Sequence, residues 1–218
     1  MSAARCQIAV LISGSGTNLQ SFIDHVAGGD LDADIVLVFS NRPDAFGLER
    51  ARSAGIPVRC IEHRSFADRE SFDRAMAAEL DAVQPDLVVL AGFMRILSPW
   101  FVQQFAGRVI NIHPALLPKY PGLDTHARAI AAGDTHHGST VHFVTEELDG
   151  GPRIVAGRIP IRPGESADAL QKRVQSVEHR IYPLAAQWFA EGRLRYDNGS
   201  AMLDGELLGE PVIIEFDA

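Results

Sequence analysis

Five short apolar runs, separated by segments with helical spacing, do most to limit what this chain can become. They lie at Gln7 to Ile12, Asp34 to Ser40, Val58 to Ile61, Asp86 to Ala91 and Arg108 to Ile112. Strands covered on both faces read as continuous apolar stretches, so these runs predict a parallel sheet. The clearest intervening helix is SFDRAMAAELDAVQP, where Phe72, Met76, Ala77, Leu80 and Val83 recur at helical spacing and Pro85 ends the pattern. Parallel strands are joined by right-handed crossovers that lay helices on the sheet faces. The expected class is α/β, a mostly parallel doubly wound sheet.

The pattern changes after His113. STVHFVTEELDGGPRIVAGRIPI reads as two strands around an acidic, glycine-rich loop, followed by a helix from about Ala167 to Ala190. The sheet should therefore carry an antiparallel C-terminal portion. The turns DNGS and LDGE then predict a terminal β-meander. A chain of 218 residues has room for one such domain with a sizeable core.

The first strand runs into SGSGTN, Ser13 to Asn18, at the start of the first helix. Amide groups of a glycine-rich turn and of a helix N-terminus point outward with positive potential, which suits a phosphate. Two nucleotide readings fail in detail. A Walker loop ends in Gly-Lys-Ser/Thr, whereas here Gly16 is followed by Thr17 and Asn18. A dinucleotide turn needs a third glycine, which would fall at Leu19, and an acidic residue closing the second strand, where Ser40 and Asn41 stand. A phosphomonoester held by the loop survives these tests, as does a tight ligand-free turn.

The fifth run ends in NIHPALLPKYPG. Ligands of open α/β sheets bind outside the carboxyl ends of the strands, so Asn111 and His113 stand where catalytic groups collect, backed by prolines 114, 118 and 121. A capping Asn and a surface His would satisfy the same residues. Asp149 of LDGG could keep an imidazole charged, yet Asp-Gly is also an ordinary turn dipeptide. His136, His137 and His142 do not form a metal set, because His136 and His137 are adjacent and would diverge, with no carboxylate or Cys completing the group.

The net charge of −8 argues against nucleic acid as the main partner. No apolar segment approaches the roughly 18 residues of a membrane span, so no membrane association is expected. The two cysteines, Cys6 and Cys60, lack metal or disulfide spacing, which points to the cytoplasm.

Three segments together, LISGSGTNLQ, LAGFMRILSPWF with NIHPALLPKYPGLDTH, and HGSTVHFVTEELDGGPRI, resemble the phosphoribosylglycinamide formyltransferases. FSNRPDAFGLERARSAGIP and RVQSVEHRIYPL extend the similarity over about residues 7 to 205. The resemblance implies one formyltransferase domain, with a phosphate-binding half at about 1–105, a folate-binding and catalytic half at about 106–205, and a short tail. It implies formyl transfer from 10-formyltetrahydrofolate to glycinamide ribonucleotide in purine biosynthesis, without a metal, by a monomer or homodimer. Asn111, His113 and Asp149 are then the catalytic trio. Gly16, Thr17, Asn18, Gln175 and Glu178 would bind the ribonucleotide. Arg69, Met94, Arg95, Ile96, Leu97 and Asn111 would contact the folate. A formyltetrahydrofolate hydrolase, a methionyl-tRNA formyltransferase and a nonenzymatic phosphometabolite-binding module are the competing expectations. The first two carry an additional regulatory or nucleic-acid-binding domain for which this chain has no room, and the third has no need of an imidazole with a carboxylate partner.

Overall fold

The computed structural model describes residues 5–217. In chain order the elements are β1 (Cys6–Ile12), α1 (Thr17–Gly28), β2 (Ala33–Ser40), α2 (Gly47–Ser53), β3 (Val58–Cys60), α3 (Arg69–Val83), β4 (Leu87–Leu90), α4 (Pro99–Gln104), β5 (Val109–His113), α5 (Thr125–Ala131), β6 (His136–Phe143), β7 (Arg153–Pro160), α6 (Ala167–Ala190), β8 (Leu194–Asp197), β9 (Ser200–Leu203), β10 (Glu206–Leu207) and β11 (Val212–Glu215). The main sheet has the order β11-β7-β6-β5-β4-β1-β2-β3. Strands β1 to β5 pair in parallel, and β6 runs antiparallel to both β5 and β7.

The continuous apolar runs serve two cores, one on each sheet face. Ile8, Val10 and Ile12 of β1 join Leu19 and Phe22 of α1 and the buried side of α6, while Ala9 and Leu11 face Phe72, Met76 and Leu80 of α3 with Phe101 of α4. Alternate residues of one strand point to opposite faces, so a strand covered by helices on both sides can spare no polar position. Helix starts follow local chemistry: the side chains of Asp68, Ser98 and Ser166 accept amides of α3, α4 and α6. Among the described residues, no helix is long and apolar enough to cross a membrane.

Chain order across the sheet reverses beside β1. The path moves outward through β2 and β3, then crosses back to place β4 on the other side of β1. That reversal opens a crevice at the carboxyl ends of β1 and β4, next to the end of β5.

The tail differs from a simple meander. Strands β8 to β10 form the expected small antiparallel sheet, but β11 returns to the main sheet and pairs in parallel with β7 at its edge. Beyond it, Phe216 lies under the Arg180 guanidinium, 4.7 Å from ring centre to Cζ.

Candidate active site

Three neighbouring parallel strands, β5, β4 and β1, end at the same edge, and each delivers a different group of side chains. From β1 comes the glycine loop. Gly16 stands before α1 in the left-handed region (φ 70°), and no side chain caps the helix. The first amides of α1 are thus left for an anion. Gly47, at the start of α2, packs on this loop: its amide donates to the Gly14 carbonyl at 3.0 Å, and a Cβ on Gly16 would come within 2.6 Å of Gly47 Cα. Arg50 buttresses the same turn through the Ser15 carbonyl at 2.9 Å.

Helix α6 closes the crevice over α1. Gln175 donates to the Thr17 hydroxyl at 2.9 Å, and Asn18 donates to Glu178 Oε2 at 3.0 Å. Glu178 is buried, and burial pushes its carboxyl above the usual range, outweighing its hydrogen-bonding contacts with Asn18 and Ser139. Gly16, Thr17, Asn18, Gln175 and Glu178 therefore form one continuous wall. Lower on α6, the buried Tyr182 hydroxyl lies 3.1 Å from the Leu90 carbonyl and 3.0 Å from that of Ile110, tying the helix to β4 and β5.

Strand β5 places Asn111 and His113 on one sheet face, two residues apart. His113 is 5% exposed. Its Nδ1 lies 3.3 Å from Asp149 Oδ2, and its Nε2 donates to the Tyr120 carbonyl at 2.8 Å. Asp149 reaches in from the β6–β7 connection with φ 54°, and the same carboxylate oxygen accepts the Gly122 amide at 2.9 Å. The buried His142 completes the cluster. Its Nδ1 lies 2.9 Å from the Phe143 carbonyl and its Nε2 3.3 Å from Asn111 Nδ2. Burial pushes the His142 pKa down, so the ring is neutral, with Nδ1–H given to the carbonyl and the Nε2 lone pair turned to the amide. The 3.8 Å separation from Asp149 Oδ1 is then not an ion pair. His142 orients Asn111 and leaves the second amide hydrogen free for another acceptor.

After β4, Gly92 (φ 73°) turns the chain into Phe93–Leu97. Met94 and Ile96 stand 71% and 53% exposed while Leu97 is buried, so this run presents apolar residues at the surface. Met94 donates its amide to Ser13 Oγ at 2.8 Å, and Ser13 donates to Asn41 Oδ1 at 2.6 Å, locking the run to the glycine loop. Arg95 keeps a buried Nε with no protein partner. Arg69 is set apart from the trio, in the first turn of α3. There it lines an open cleft of about 700 Å³ with Ser98 and Pro99.

The structure thus brings Asn111, His113 and Asp149 together, and Gly16, Thr17, Asn18, Gln175 and Glu178 together, with Met94 to Leu97 between the two groups. Sequence reasoning gave no individual role to Ser13 within its loop, none to Asn41, Gly47, Arg50 or Ser139, and left the role of His142 open. Asn41 had a legible signal: it occupies the position where a dinucleotide fold needs an acid, and here it holds the Ser13 hydroxyl instead. The other contacts join elements far apart in the chain, with no local signature.

A family model described as formyl transferase matches residues 6–186. The phosphoribosylglycinamide formyltransferase of Escherichia coli (strain K12) is 54% identical over 201 residues, covering 92% of this chain and 95% of that protein. The Haemophilus influenzae protein of the same name is 50% identical over 202 residues, covering 93% and 95%. Among solved structures, the phosphoribosylglycinamide formyltransferase of Coxiella burnetii superposes with a TM-score of 0.92 at 48% identity, covering 96% of this chain and all of that one.

Proposed function

The chain belongs to the formyl transferase family, and on that premise we propose how its residues divide the work of formyl transfer in purine biosynthesis. The acceptor is the amine of glycinamide ribonucleotide and the donor is 10-formyltetrahydrofolate. The observation that carries this reading is the meeting of Asn111, His113 and Asp149 two strands away from an uncapped, glycine-lined helix start. The alternatives, a hydrolase or a nonenzymatic binding module, find no support among the relatives.

The ribonucleotide phosphate sits on the amides of Gly16, Thr17 and Asn18, with Gln175 beside it and Glu178 taking the ribose hydroxyls. The folate lies along Met94 to Leu97, where exposed Met94 and Ile96 suit a flat heteroaromatic ring and the intervening backbone supplies polar contacts. Arg69 and Arg95 border that surface. Attack of an amine on the formyl carbon builds negative charge on its oxygen. The Asn111 amide hydrogen not given to His142 meets that oxygen, and His113 donates a second hydrogen bond or a proton while Asp149 balances its charge. Every residue named comes from one chain, so a monomer suffices, and a homodimer would carry two independent sites. Neither metal nor nucleic acid enters this scheme, and its setting is the cytoplasm. The division at about residue 105 is one of emphasis, since Glu178 and Gln175 serve the ribonucleotide from the second half.

Purified protein supplied with both substrates should give formylglycinamide ribonucleotide by mass spectrometry, and none when either is omitted. Formylation of a different amine, with no product from the ribonucleotide, would refute the assignment.

A further inference from the structure

Ser139 on β6 lies between the two halves of the site. Its Oγ is 2.7 Å from the His113 carbonyl oxygen and 3.1 Å from Glu178 Oε1. A hydroxyl has one hydrogen, and a carbonyl oxygen has none to offer. The shorter contact therefore takes the hydrogen of Ser139. The contact with Glu178 needs a hydrogen of its own, and only the carboxyl can bring it. The other carboxyl oxygen, Oε2, accepts from Asn18 Nδ2 at 3.0 Å, as the carbonyl oxygen of a neutral acid does.

We propose that Glu178 carries a proton in the unliganded protein and donates it to Ser139, whose own hydroxyl donates to the carbonyl of His113. The surroundings agree. Glu178 is 8% exposed, and the groups facing it are the uncharged Asn18 from α1 and Ser139 from β6, with the buried phenol of Tyr182 one turn along its own helix. None of these offers a positive charge that would hold a carboxylate, and desolvation favours the neutral form. The consequence for catalysis rests on the ribose reading given above. A neutral carboxyl can both donate to and accept from a diol, and Ser139 becomes a positioning residue through which the occupied ribose pocket bears on the strand end holding His113.

The proton itself is tested on ligand-free protein, so that its failure and a failure of the ribose reading remain distinct. Glu178→Gln places an amide N–H where the carboxyl proton stands. A carboxyl whose folded pKa exceeds its unfolded one contributes stability below the unfolded pKa and loses it as pH rises through the folded pKa. The thermal midpoint of Glu178→Gln should match wild type near about pH 5 and equal or exceed it by up to roughly 3 °C near about pH 8. A variant midpoint below wild type at neutral pH that recovers on acidification is the signature of a lost carboxylate and overturns the proposal. If the variant is lower by the same amount at every pH, infrared difference spectra decide. A protonated-carboxyl band at neutral pH that is missing in Glu178→Gln and displaced in Ser139→Ala supports the relay, and its absence from wild type refutes it.

Discussion

Asp149 does its work from a backbone conformation that few residues other than glycine accept, at φ 54°. One carboxylate oxygen takes the Gly122 amide and faces His113 Nδ1, so the residue joins the proline-rich segment after β5 to the His113 imidazole. Asp149→Asn keeps an acceptor for Gly122 and removes only the charge. His113→Ala removes the donor altogether. Both variants should remain folded by circular dichroism and lose roughly 10²- to 10⁴-fold in turnover. Near wild-type turnover at saturating substrates in either folded variant would break the trio. A second histidine carries a stability prediction. His137 is buried beneath the same segment, edge-on to the His126 ring at 5.1 Å, and burial pushes its pKa down to about 4. The unfolded chain then binds a proton that the folded one refuses, between the ordinary 6.5 and about 4. Stability is therefore lost as pH falls through that window. His126, His142 and His179 shift in the same direction. Thermal midpoints measured across the window should fall less steeply for His137→Asn than for wild type, and an equal slope would show that His137 does not contribute.

At the scale of elements, the close packing of Gly47 against Gly16 sets how near α2 comes to the glycine turn. Gly16→Ala meets two costs, a Cβ 2.6 Å from Gly47 Cα and a side chain at φ 70°. Overpacking of this kind costs about 1–3 kcal/mol, and each kcal/mol lowers the midpoint of a chain this size by roughly 2–4 °C. KM for the ribonucleotide should rise while KM for the folate holds, and the reverse split would move the phosphate elsewhere. Much at this level was legible in the sequence. Helix α6 spans the residues expected, and α3 ends just before the proline that was read as its stop, because helical periodicity and capping are local properties. Strand ends were less legible: β4 is shorter at both ends than its apolar run, and β5 extends to His113. Pairing decides those limits. The parallel return of β11 to β7 could not be read at all, since an apolar run does not say which edge it joins. The same holds within the site. Asn111 and His113 were visible as a motif, whereas the support from His142 and Ser139 depends on strand register and on side chains brought together from distant segments.

For the molecule as a whole, the proposed mechanism asks the three strand ends to do more than assemble two substrates, because a formyl donor held beside the His113 imidazole can also lose its formyl group to water. The segment between β5 and α5 offers the means of exclusion. In the structure Tyr120, at φ 56°, turns its carbonyl onto His113 Nε2, and Gly122 at φ 80° gives its amide to Asp149. His113 and Asp149 are thus both engaged by this loop, and on the proposed mechanism His113 Nε2 can reach a substrate only when the Tyr120 carbonyl withdraws. If the bound ribonucleotide drives that exchange, the formyl group meets an active imidazole only when the amine is present. Release of tetrahydrofolate should then depend on added glycinamide ribonucleotide, with one formylated product per folate released. Gly122→Pro removes the amide donor to Asp149 and forces φ negative, so it should slow transfer and raise the fraction of formyl lost as formate. The measurement is folate deformylation followed spectroscopically with and without the ribonucleotide, alongside formate determination. Equal rates in the two conditions, with formate as the product, would mean that the loop protects nothing and that the chain hydrolyses its donor.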